Sequence, residues 1–445
     1  MRFFLSLICL LTFSYASFAQ KTLSLDEAIN TALNKNTTLE KSENTLKSYQ
    51  SGVKAAIGNF LPTLGAYGNW YWSKSEQKGG SIVIQGSEIP LPPSSTQSRN
   101  YTVGASSDIT LFDGLSNVAG LSQSQNDLEA WRLTLERMKQ DIVFRTISLY
   151  YDVINAKQLL KVKEDDVKWN QKNLETITER NKLGAVTLAD VYNQQVQSGN
   201  AELALIQAKN DLETARTNLL YYLGLDVLKD YEFEEPAESE APKAEKEPGY
   251  QDLSELVTRA LSTRSDYKSA QLSLESAQNG VTIAQSGYFP RLTGSISYQL
   301  RADALRNLNN SKSLNVSATL SIPIFSGFSV DNRVQIAEVN AENKDVELTE
   351  LERNIKRNIQ KNYLDLQAAE KSLSVNEKNV KAAEENRRIE EEKYSLGSGT
   401  LLNVLIANSN YTTARTNYIN AKFAYVVLSE QLKYYLGVLN YKQYE

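Results

Sequence analysis

The feature that most constrains this sequence is a tandem repeat with one very long unbroken segment in each copy. Three pairs of residues lie 213 positions apart in matching Phe-x-Gly, Leu-Gly and Tyr-Leu-Gly motifs: Phe112 and Phe325, Leu183 and Leu396, and Leu223 and Leu436. Between the first two motifs the chain has no proline, and its only glycine is the early Gly120. A helix over these roughly 65 residues spans about 100 Å. We therefore expect a mainly helical fold with long helices over about 115–182 and 328–395.

Each copy begins with shorter helical segments that stop at a proline. Leu25 and Leu253, and likewise Pro62 and Pro290, lie 228 positions apart. The first copy therefore carries 15 more residues between Pro62 and Phe112 than the second copy does between Pro290 and Phe325. The centre of that segment, 73–100, is rich in Gly, Ser and Pro, and this composition predicts a long loop. Ser24, followed three residues later by Glu27, predicts a capping box at the first helix.

The N-terminus indicates export from the cytoplasm. Arg2 precedes an apolar run, and the small residues of Ser17-Phe18-Ala19 come directly before Gln20, so we interpret residues 1–19 as a cleavable signal peptide. A buried helix is the alternative. The single cysteine, Cys9, lies inside this segment without the small residues of a lipoprotein signal, so the mature chain is expected to lack a thiol and a lipid anchor. Loss of Arg2 changes the net charge from −5 to −6.

Composition argues against most kinds of catalysis. The chain has no histidine and no cysteine beyond Cys9, so the commonest metal ligands, general bases and strong nucleophiles are missing. We expect no catalytic residue, no metal and no cofactor, although an enzyme that uses carboxylates alone stays possible. No basic stripe indicates nucleic acid as a partner. After the N-terminus no apolar run is long enough for a membrane-spanning helix.

Four segments alternate between apolar and small or polar residues: about 63–72, 101–111, 291–300 and 314–324. A period of two over about ten residues fits transmembrane strands with one face in lipid and one in water. Aromatic residues cluster toward the loop ends of these segments: Trp70, Trp72, Tyr101 and Tyr298. A half-buried soluble hairpin is the alternative. Four strands cannot close a barrel, so the membrane interpretation requires several chains, of which three would supply twelve strands and two would supply eight.

The predicted long helices carry a narrow apolar stripe at heptad spacing. Its members in the first copy are Leu128, Leu135, Ile142 and Leu149, followed by Leu160, Val167 and Leu174. Such a stripe suits either a helical tube that is wet inside and outside or an ordinary solvated coiled coil. Residues 20–228 and 252–445 form the two predicted repeats. Between them, 229–251 contains three prolines and many glutamates and predicts an extended acidic linker, with an acidic binding segment as the alternative.

The same order of elements and motifs occurs in both copies: helix, Phe-Leu-Pro or Tyr-Phe-Pro, two strands, Phe-x-Gly, long helix, Leu-Gly turn and Tyr-Leu-Gly. This doubled order resembles the outer membrane efflux protein family of TolC-like outer membrane factors. The resemblance covers essentially the whole mature chain. It implies a mainly α fold with transmembrane β-strands, in which a homotrimer builds a 12-stranded barrel in outer-membrane lipid and a long periplasmic α-helical barrel. The implied function is that of a passive export channel in a tripartite efflux or type I secretion system. Its implied partners are a periplasmic adaptor, also called a membrane fusion protein, and an inner-membrane pump.

The resemblance also assigns roles to residues near the two Leu-Gly turns. The implied adaptor-docking tips are Leu183, Gly184, Ala185 and Val186 in the first copy and Leu396, Gly397, Ser398 and Gly399 in the second. Glycine suits a turn between antiparallel helices, and we expect only Gly399 to exceed what the turn requires. A family latch between a tyrosine and an aspartate falls on Tyr394 and Asp190.

The chain departs from the family pattern at the implied gate. The arginine that shares the family latch falls at Gly399, and two aspartates that constrict the family pore fall at Asn403 and Ile406. Paired carboxylates from three chains would favour cations, whereas Asn403 and Ile406 offer a neutral ring. We expect weaker cation selectivity and a looser resting gate. The main alternative function is a secreted periplasmic coiled-coil adaptor or scaffold without a pore, which would leave the four strands without a role.

Overall fold

The structure is a computed structural model that describes residues 21–235 and 252–444. The predicted signal peptide, with Cys9, and the last part of the predicted linker, 236–251, lie outside the described residues.

The described helices repeat with the spacing of the sequence motifs. They are α1 (Leu25–Lys35), α2 (Thr37–Gly58), α3 (Ser116–Lys182), α4 (Leu188–Tyr222), α5 (Leu253–Thr263), α6 (Ser265–Gln285), α7 (Ser329–Ser395) and α8 (Leu401–Tyr435). The long helices α3 and α7 have 67 residues each, and α4 and α8 have 35 residues each. Both pairs are offset by 213 positions. The tandem repeat therefore sets the helix boundaries, as the motifs predict.

The described strands form three sheets. The strands are β1 (Lys21–Leu23), β2 (Gly65–Gln77), β3 (Gly80–Ile84), β4 (Ser87–Leu91), β5 (Ser94–Phe112), β6 (Tyr231–Phe233), β7 (Arg291–Ala302) and β8 (Lys312–Ser321). One sheet is antiparallel with the order β2-β5-β7-β8, β3 pairs with β4, and β1 pairs in parallel with β6. The two predicted hairpins thus join edge to edge through β5 and β7.

Two predicted segments contain more structure than expected. The prediction of a long loop over 73–100 is wrong for most of this segment. Strands β2 and β5 extend into the segment, and β3 and β4 form a hairpin at its centre. The start of the predicted linker is also structured. There β6 pairs with β1, and Phe233 of β6 is buried at 4% exposure with its ring centre 6.1 Å from that of Tyr150.

Two compact units divide the described residues. The first contains 21–40, 137–235, 252–264 and 355–444. At its centre the fully buried Tyr150 places its hydroxyl 2.9 Å from the carbonyl oxygen of Leu23 and 2.5 Å from that of Glu234. Burial raises the pKa of this phenol well above its usual value. Tyr150 therefore ties α3 to the C-terminal ends of both β1 and β6, which lie side by side in this parallel pair.

The second unit contains 41–136 and 265–354, and it includes the four-stranded sheet. Small residues allow its helices to pack closely. The Ser269 hydroxyl of α6 donates to the carbonyl oxygen of Ala130 in α3 at 2.8 Å. On α2, the carbonyl oxygen of Ser42 accepts a hydrogen bond from the indole nitrogen of Trp131 at 3.0 Å.

Each long helix follows a strand through a left-handed turn at the Phe-x-Gly motif. Gly114 and Leu115 have φ values of 68° and 72°, and the equivalent Gly327 and Phe328 have φ values of 59° and 61°. Positive φ is costly for a bulky side chain, so its recurrence at equivalent positions marks a shared structural requirement. The turn redirects the chain from the sheet into the helix.

Candidate functional site: two helix tips and an exposed sheet

The first helix tip is a tight turn between α3 and α4. Gly184 has a φ of 72°, and its N–H donates to the carbonyl oxygen of Asn181 at 2.9 Å. The next N–H, from Ala185, reaches back to the carbonyl oxygen of Arg180 at 2.9 Å. These bonds satisfy carbonyl groups at the helix end, as in a Schellman motif. Leu183 protrudes from this turn with 84% exposure.

The second helix tip repeats this geometry between α7 and α8. Gly397 has a φ of 79° and donates to Tyr394 at 3.2 Å, and Ser398 donates to Lys393 at 2.9 Å. Leu396, the equivalent of Leu183, is 76% exposed. The two tips therefore present matching leucine side chains on matching glycine turns.

Gly399 has a steric role inside the second tip. A Cβ atom added to it would lie 3.0 Å from the backbone nitrogen of Tyr394 and 3.1 Å from Cβ of Lys393. Its N–H also donates to the carbonyl oxygen of Lys393 at 3.1 Å. The expectation that Gly399 exceeds the needs of the turn is therefore wrong, because a Cβ atom at this position would crowd Lys393 and Tyr394 of the turn itself.

Beneath the tips, a small apolar cluster joins three helices. Ile177, Val191 and Leu401 are buried together, and Val186 and Tyr394 pack against them. Val186 is thus the least exposed of the four predicted docking residues in the first tip. The others, Leu183, Gly184 and Ala185, are exposed.

Asp190 acts as a helix cap in this structure. Its carboxylate accepts from the backbone N–H of Thr187 at 3.0 Å and from the Thr187 hydroxyl at 2.7 Å, and its own N–H donates to that hydroxyl. The hydroxyl of Tyr394 is buried and has no hydrogen-bond partner. The predicted hydrogen bond between Asp190 and Tyr394 is therefore not formed in this structure, and the latch stays a prediction.

Asn403 and Ile406 share the exposed face of the first turns of α8. Leu401, Val404 and Ala407 form the buried face of the same turns. The backbone N–H of Asn403 donates to the hydroxyl of the cap residue Thr400. The side chain of Asn403 does not bond back to the backbone of Thr400, whereas the side chain of Asp190 does bond back to the backbone of Thr187. Both predicted constriction residues therefore point away from the helices of their own chain, and the pore role itself stays a prediction.

A buried polar network lies farther from the tips in the same unit, and it was not predicted from the sequence. The amide nitrogen of the fully buried Gln194 donates to the carbonyl oxygen and side-chain oxygen of Asn170, both at 3.1 Å. Asn173 donates to Gln194 at 2.8 Å, and Asn408 donates to Asp166 at 2.8 Å. Asn and Gln on a long helix usually face solvent, so no sequence signal separates these buried positions from exposed ones. The network links α3 with α4 and α8.

The four-stranded sheet has one apolar face and one polar face. Its register aligns apolar residues across neighbouring strands, for example Ile296 with Val316 and Leu292 with Leu320. The other face carries small polar groups, including Ser295 and Ser317, whose hydroxyls lie 2.7 Å apart. Large apolar side chains nevertheless remain highly exposed: Trp70, Ile296, Tyr298, Leu314, Val316 and Leu320. Among the described residues, no element covers this apolar face.

Two properties of the described residues limit the kinds of site that they can form. In 21–235 and 252–444, no cluster of three or more Asp, Glu, His or Cys residues is arranged to hold a metal ion. None of the helices within the same ranges combines the length and hydropathy needed to cross a membrane.

The sequence of the chain matches a known protein family and is similar to known outer membrane proteins. The family model described as "Outer membrane efflux protein" matches residues 28–225 and 256–438. The chain is similar to the outer membrane protein TolC of Salmonella enteritidis, with 24% identity over 345 residues that cover 74% of this chain and 68% of TolC. It is also similar to the outer membrane efflux protein BepC of Brucella suis, with 23% identity over 396 residues that cover 88% of this chain and 82% of BepC.

The fold agrees with that of a solved outer membrane protein. The crystal structure of VceC from Vibrio cholerae matches with a TM-score of 0.81 at 19% identity, covering 93% of this chain and 96% of VceC. At this level of identity the likeness concerns the fold. At 93% coverage it extends over both repeats.

Proposed function

Because the chain belongs to the outer membrane efflux protein family, we propose that three copies of it assemble into one export channel across the outer membrane. The protein is an outer-membrane efflux channel of TolC-like fold. As a passive conduit it needs no catalytic residue, since a channel lowers a barrier to passage without making or breaking bonds. Energy and the choice of substrate come from its partners.

The exposed apolar face of the sheet carries the proposal. Val316 is 73% exposed, Trp70 is 64% exposed and Leu320 is 58% exposed on a face that is aligned across strands. A contiguous apolar surface of this kind promotes aggregation in water but suits contact with lipid tails. The polar face with Ser295 and Ser317 then faces a water-filled lumen.

The sheet needs neighbouring copies to become complete. Among the described residues of one chain β2 pairs only with β5, and β8 pairs only with β7, so both edges of the sheet are open there. Open edges cannot persist in lipid, because their unpaired N–H and C=O groups find no water there. We infer that β2 of one copy pairs with β8 of the next copy. Three copies then close a barrel of twelve strands, which the family resemblance favours over eight strands from two copies.

The helix tips are the proposed contact surface for a periplasmic adaptor, which in turn connects to an inner-membrane pump. Leu183 and Leu396 protrude from glycine turns, where the absence of side chains lets another backbone approach closely. Ala185 and Ser398, the residues after these glycines, are small as well. The tripartite assembly of this type would serve efflux or type I secretion.

The proposed gate lies beside these tips, where Asn403 and Ile406 line the constriction. In a closed trimer these residues form a neutral ring, because neither carries a charge. The latch between Asp190 and Tyr394 would add a bond from the Tyr394 hydroxyl, which has no partner, to the carboxylate that Thr187 already binds through one oxygen. Because Gly399 stands where the family latch has an arginine, each copy would hold the gate through this one bond, and the gate is held weakly.

The mass of the detergent-extracted particle tests the proposal. Light scattering with the detergent contribution subtracted should give three chains in material extracted from outer membranes. Reconstitution into planar bilayers should then give discrete ion conductance. A soluble monomer or a two-chain coiled coil that needs no detergent would contradict the channel and favour a scaffold. A detergent-dependent dimer would favour the eight-stranded alternative.

A further inference from the structure

A ribbon of two strands projects beyond the four-stranded sheet. Strand β5 pairs with β7 only from Tyr101 onward, but it pairs with β2 as far as Ser94, which lies opposite Gln77. Residues 71–77 and 94–100 therefore form a two-stranded extension of about 20 Å at roughly 3.3 Å per residue. The residues beyond Trp72 in this extension are polar on both faces, so the ribbon itself is suited to water.

The ribbon ends in a separate hairpin, β3 and β4, with a hydrogen-bond ladder of its own. Between the two ladders, Lys78 and Gly79 lie opposite Pro92 and Pro93. A Cβ atom on Gly79 would lie 2.9 Å from the carbonyl oxygen of Leu91 and 3.0 Å from Cδ of Pro93, so only glycine fits there. The break between ribbon and hairpin thus depends on glycine at position 79.

The hairpin has one apolar face. Gln85 and Gly86 form its two-residue turn with φ values of 50° and 83°, as a tight hairpin requires. Alternation and pairing place four large aliphatic side chains on the same face: Ile82, Ile84, Ile89 and Leu91, at 42%, 52%, 44% and 39% exposure. The opposite face carries Val83 and Glu88. An isolated two-stranded hairpin is marginally stable in water, so this apolar face requires a partner surface.

We propose that this partner is the same hairpin of the neighbouring copies, so that three apolar hairpin faces pack together over the outer mouth of the channel. The inference rests on the proposed trimer. It would give the channel an external cap in addition to the periplasmic gate. The cap buries the isoleucine faces against one another and leaves the Val83 and Glu88 faces in water.

Three observations favour a second copy over an unrelated partner. The hairpin continues from β2, the strand whose open edge meets the next copy. Twelve strands about 4.8 Å apart and tilted by about 40° give a barrel radius of roughly 12 Å. A ribbon of about 20 Å is longer than this radius, so each ribbon is long enough to bring its hairpin to the barrel axis. Glu88, the only charged residue of the hairpin, lies on the opposite face, so three copies related by rotation bring no like charges together at the axis.

Disulfide cross-linking between copies tests the proposal. Because Cys9 is the only natural cysteine and lies in the predicted signal peptide, Ile82→Cys and Ile84→Cys each introduce one thiol per mature chain. Mild oxidation of outer membranes should give about ten times more cross-linked dimer from these variants than from the matched control Val83→Cys on the opposite face, since a disulfide needs Cβ atoms within about 4.5 Å. Light scattering on the same preparations reports whether they remain trimeric.

The outcomes separate this inference from the proposed channel. Trimers that give no cross-link at positions 82 and 84, or equal cross-linking at position 83, would overturn the cap and leave the channel intact. Particles that are not trimers would overturn both. As a second measurement, Ser317→Cys places a thiol on the proposed lumen face, between the cap and the periplasmic gate. In this background the double variant Ile82→Ser with Ile89→Ser should raise labelling of that thiol by a large reagent added from outside several-fold, and Val83→Ser should not. Unchanged labelling in the double variant would contradict a closed cap.

Discussion

The guanidinium carbon of Arg180 lies 4.9 Å from the centre of the Tyr394 ring, so the last turn of α3 meets the last turn of α7 through a cation–π contact. The same tyrosine ring packs on the apolar cluster beneath the tips, and its hydroxyl has no hydrogen-bond partner. In this structure Tyr394 therefore holds the tips together through its ring. The predicted latch would use its hydroxyl instead.

Two substitutions at Tyr394 separate these roles. Tyr394→Phe keeps the ring and removes only the hydroxyl, so we expect channel conductance and trimer stability to stay close to those of the natural protein. Tyr394→Ala removes the ring and should raise the open probability in planar bilayers. An open probability that rises equally in both variants would show that the hydroxyl bond to Asp190 forms in the closed channel and would support the latch.

The charge at positions 403 and 406 should control ion selectivity. Introducing aspartate at both positions places six carboxylates at the constriction of a trimer, and we expect the permeability ratio of potassium to chloride to rise several-fold. Reversal potentials in bilayers under a potassium chloride gradient measure this ratio. Asn417→Asp is a suitable control, because Asn417 is also exposed on α8 but lies about 20 Å farther along the helix at 1.5 Å per residue. Equal shifts in both variants would contradict a constriction at 403 and 406.

Repeat spacing predicted much of the fold, because a motif that recurs at the same spacing in both copies marks the end of a helix or strand in each copy. Gly184 and Gly397 each occur in a Leu-Gly motif and have the positive φ that a turn between helices requires. Ser24 and Glu27 form the predicted capping box. The hairpin β3 and β4 was not predicted, because the abundant Gly, Ser and Pro around it mask the alternation of Ile82 and Ile84. Burial of polar groups such as Gln194 depends on which helices meet, and a single sequence does not state this.

The buried polar network should contribute strongly to stability. Gln194→Leu removes the bonds that Gln194 makes with Asn170 and Asn173, and we expect a loss of about 2 kcal/mol in the free energy of unfolding. The adjacent Gln195 is exposed, so Gln195→Leu should change this free energy by less than about 0.5 kcal/mol. Denaturant titration in detergent, followed by circular dichroism, compares the two. Equal losses would show that the network contributes little.

Tyr150 should make the protein sensitive to alkali. Burial raises the pKa of its phenol above that of the unfolded chain, so the folded state keeps a proton that the unfolded state releases. The stability from this group is complete below about pH 10, the unfolded pKa, and decreases as the pH rises above that value. Tyr150→Phe should cost about 1 kcal/mol at pH 7 through loss of its hydrogen bond to the backbone. The variant should also lose less stability than the natural protein between pH 9 and pH 11, which thermal melting measures. Parallel losses in both proteins would contradict this assignment.

The two Phe-x-Gly turns provide a matched test of steric crowding. Gly114 and Gly327 have nearly the same positive φ, but their surroundings differ. A Cβ atom on Gly114 would lie 2.7 Å from Cβ of Phe289 and 2.9 Å from the carbonyl oxygen of Ser286, whereas one on Gly327 meets nothing within 4 Å. Gly327→Ala should therefore cost only the strain of a left-handed alanine, about 1 kcal/mol.

Gly114→Ala adds a backbone clash to the same strain, so we expect a loss at least about 2 kcal/mol larger than that of Gly327→Ala, together with less trimer in the outer membrane. Gly120→Ala is the control for both, since Gly120 lies inside α3 with no atom within 4 Å of an added Cβ. It should stabilise the protein by about 0.5–1 kcal/mol, because alanine favours a helix more than glycine does. Equal losses for Gly114→Ala and Gly327→Ala would mean that the chain relieves the contact with Phe289 by a backbone shift, and that backbone conformation alone requires glycine at both turns.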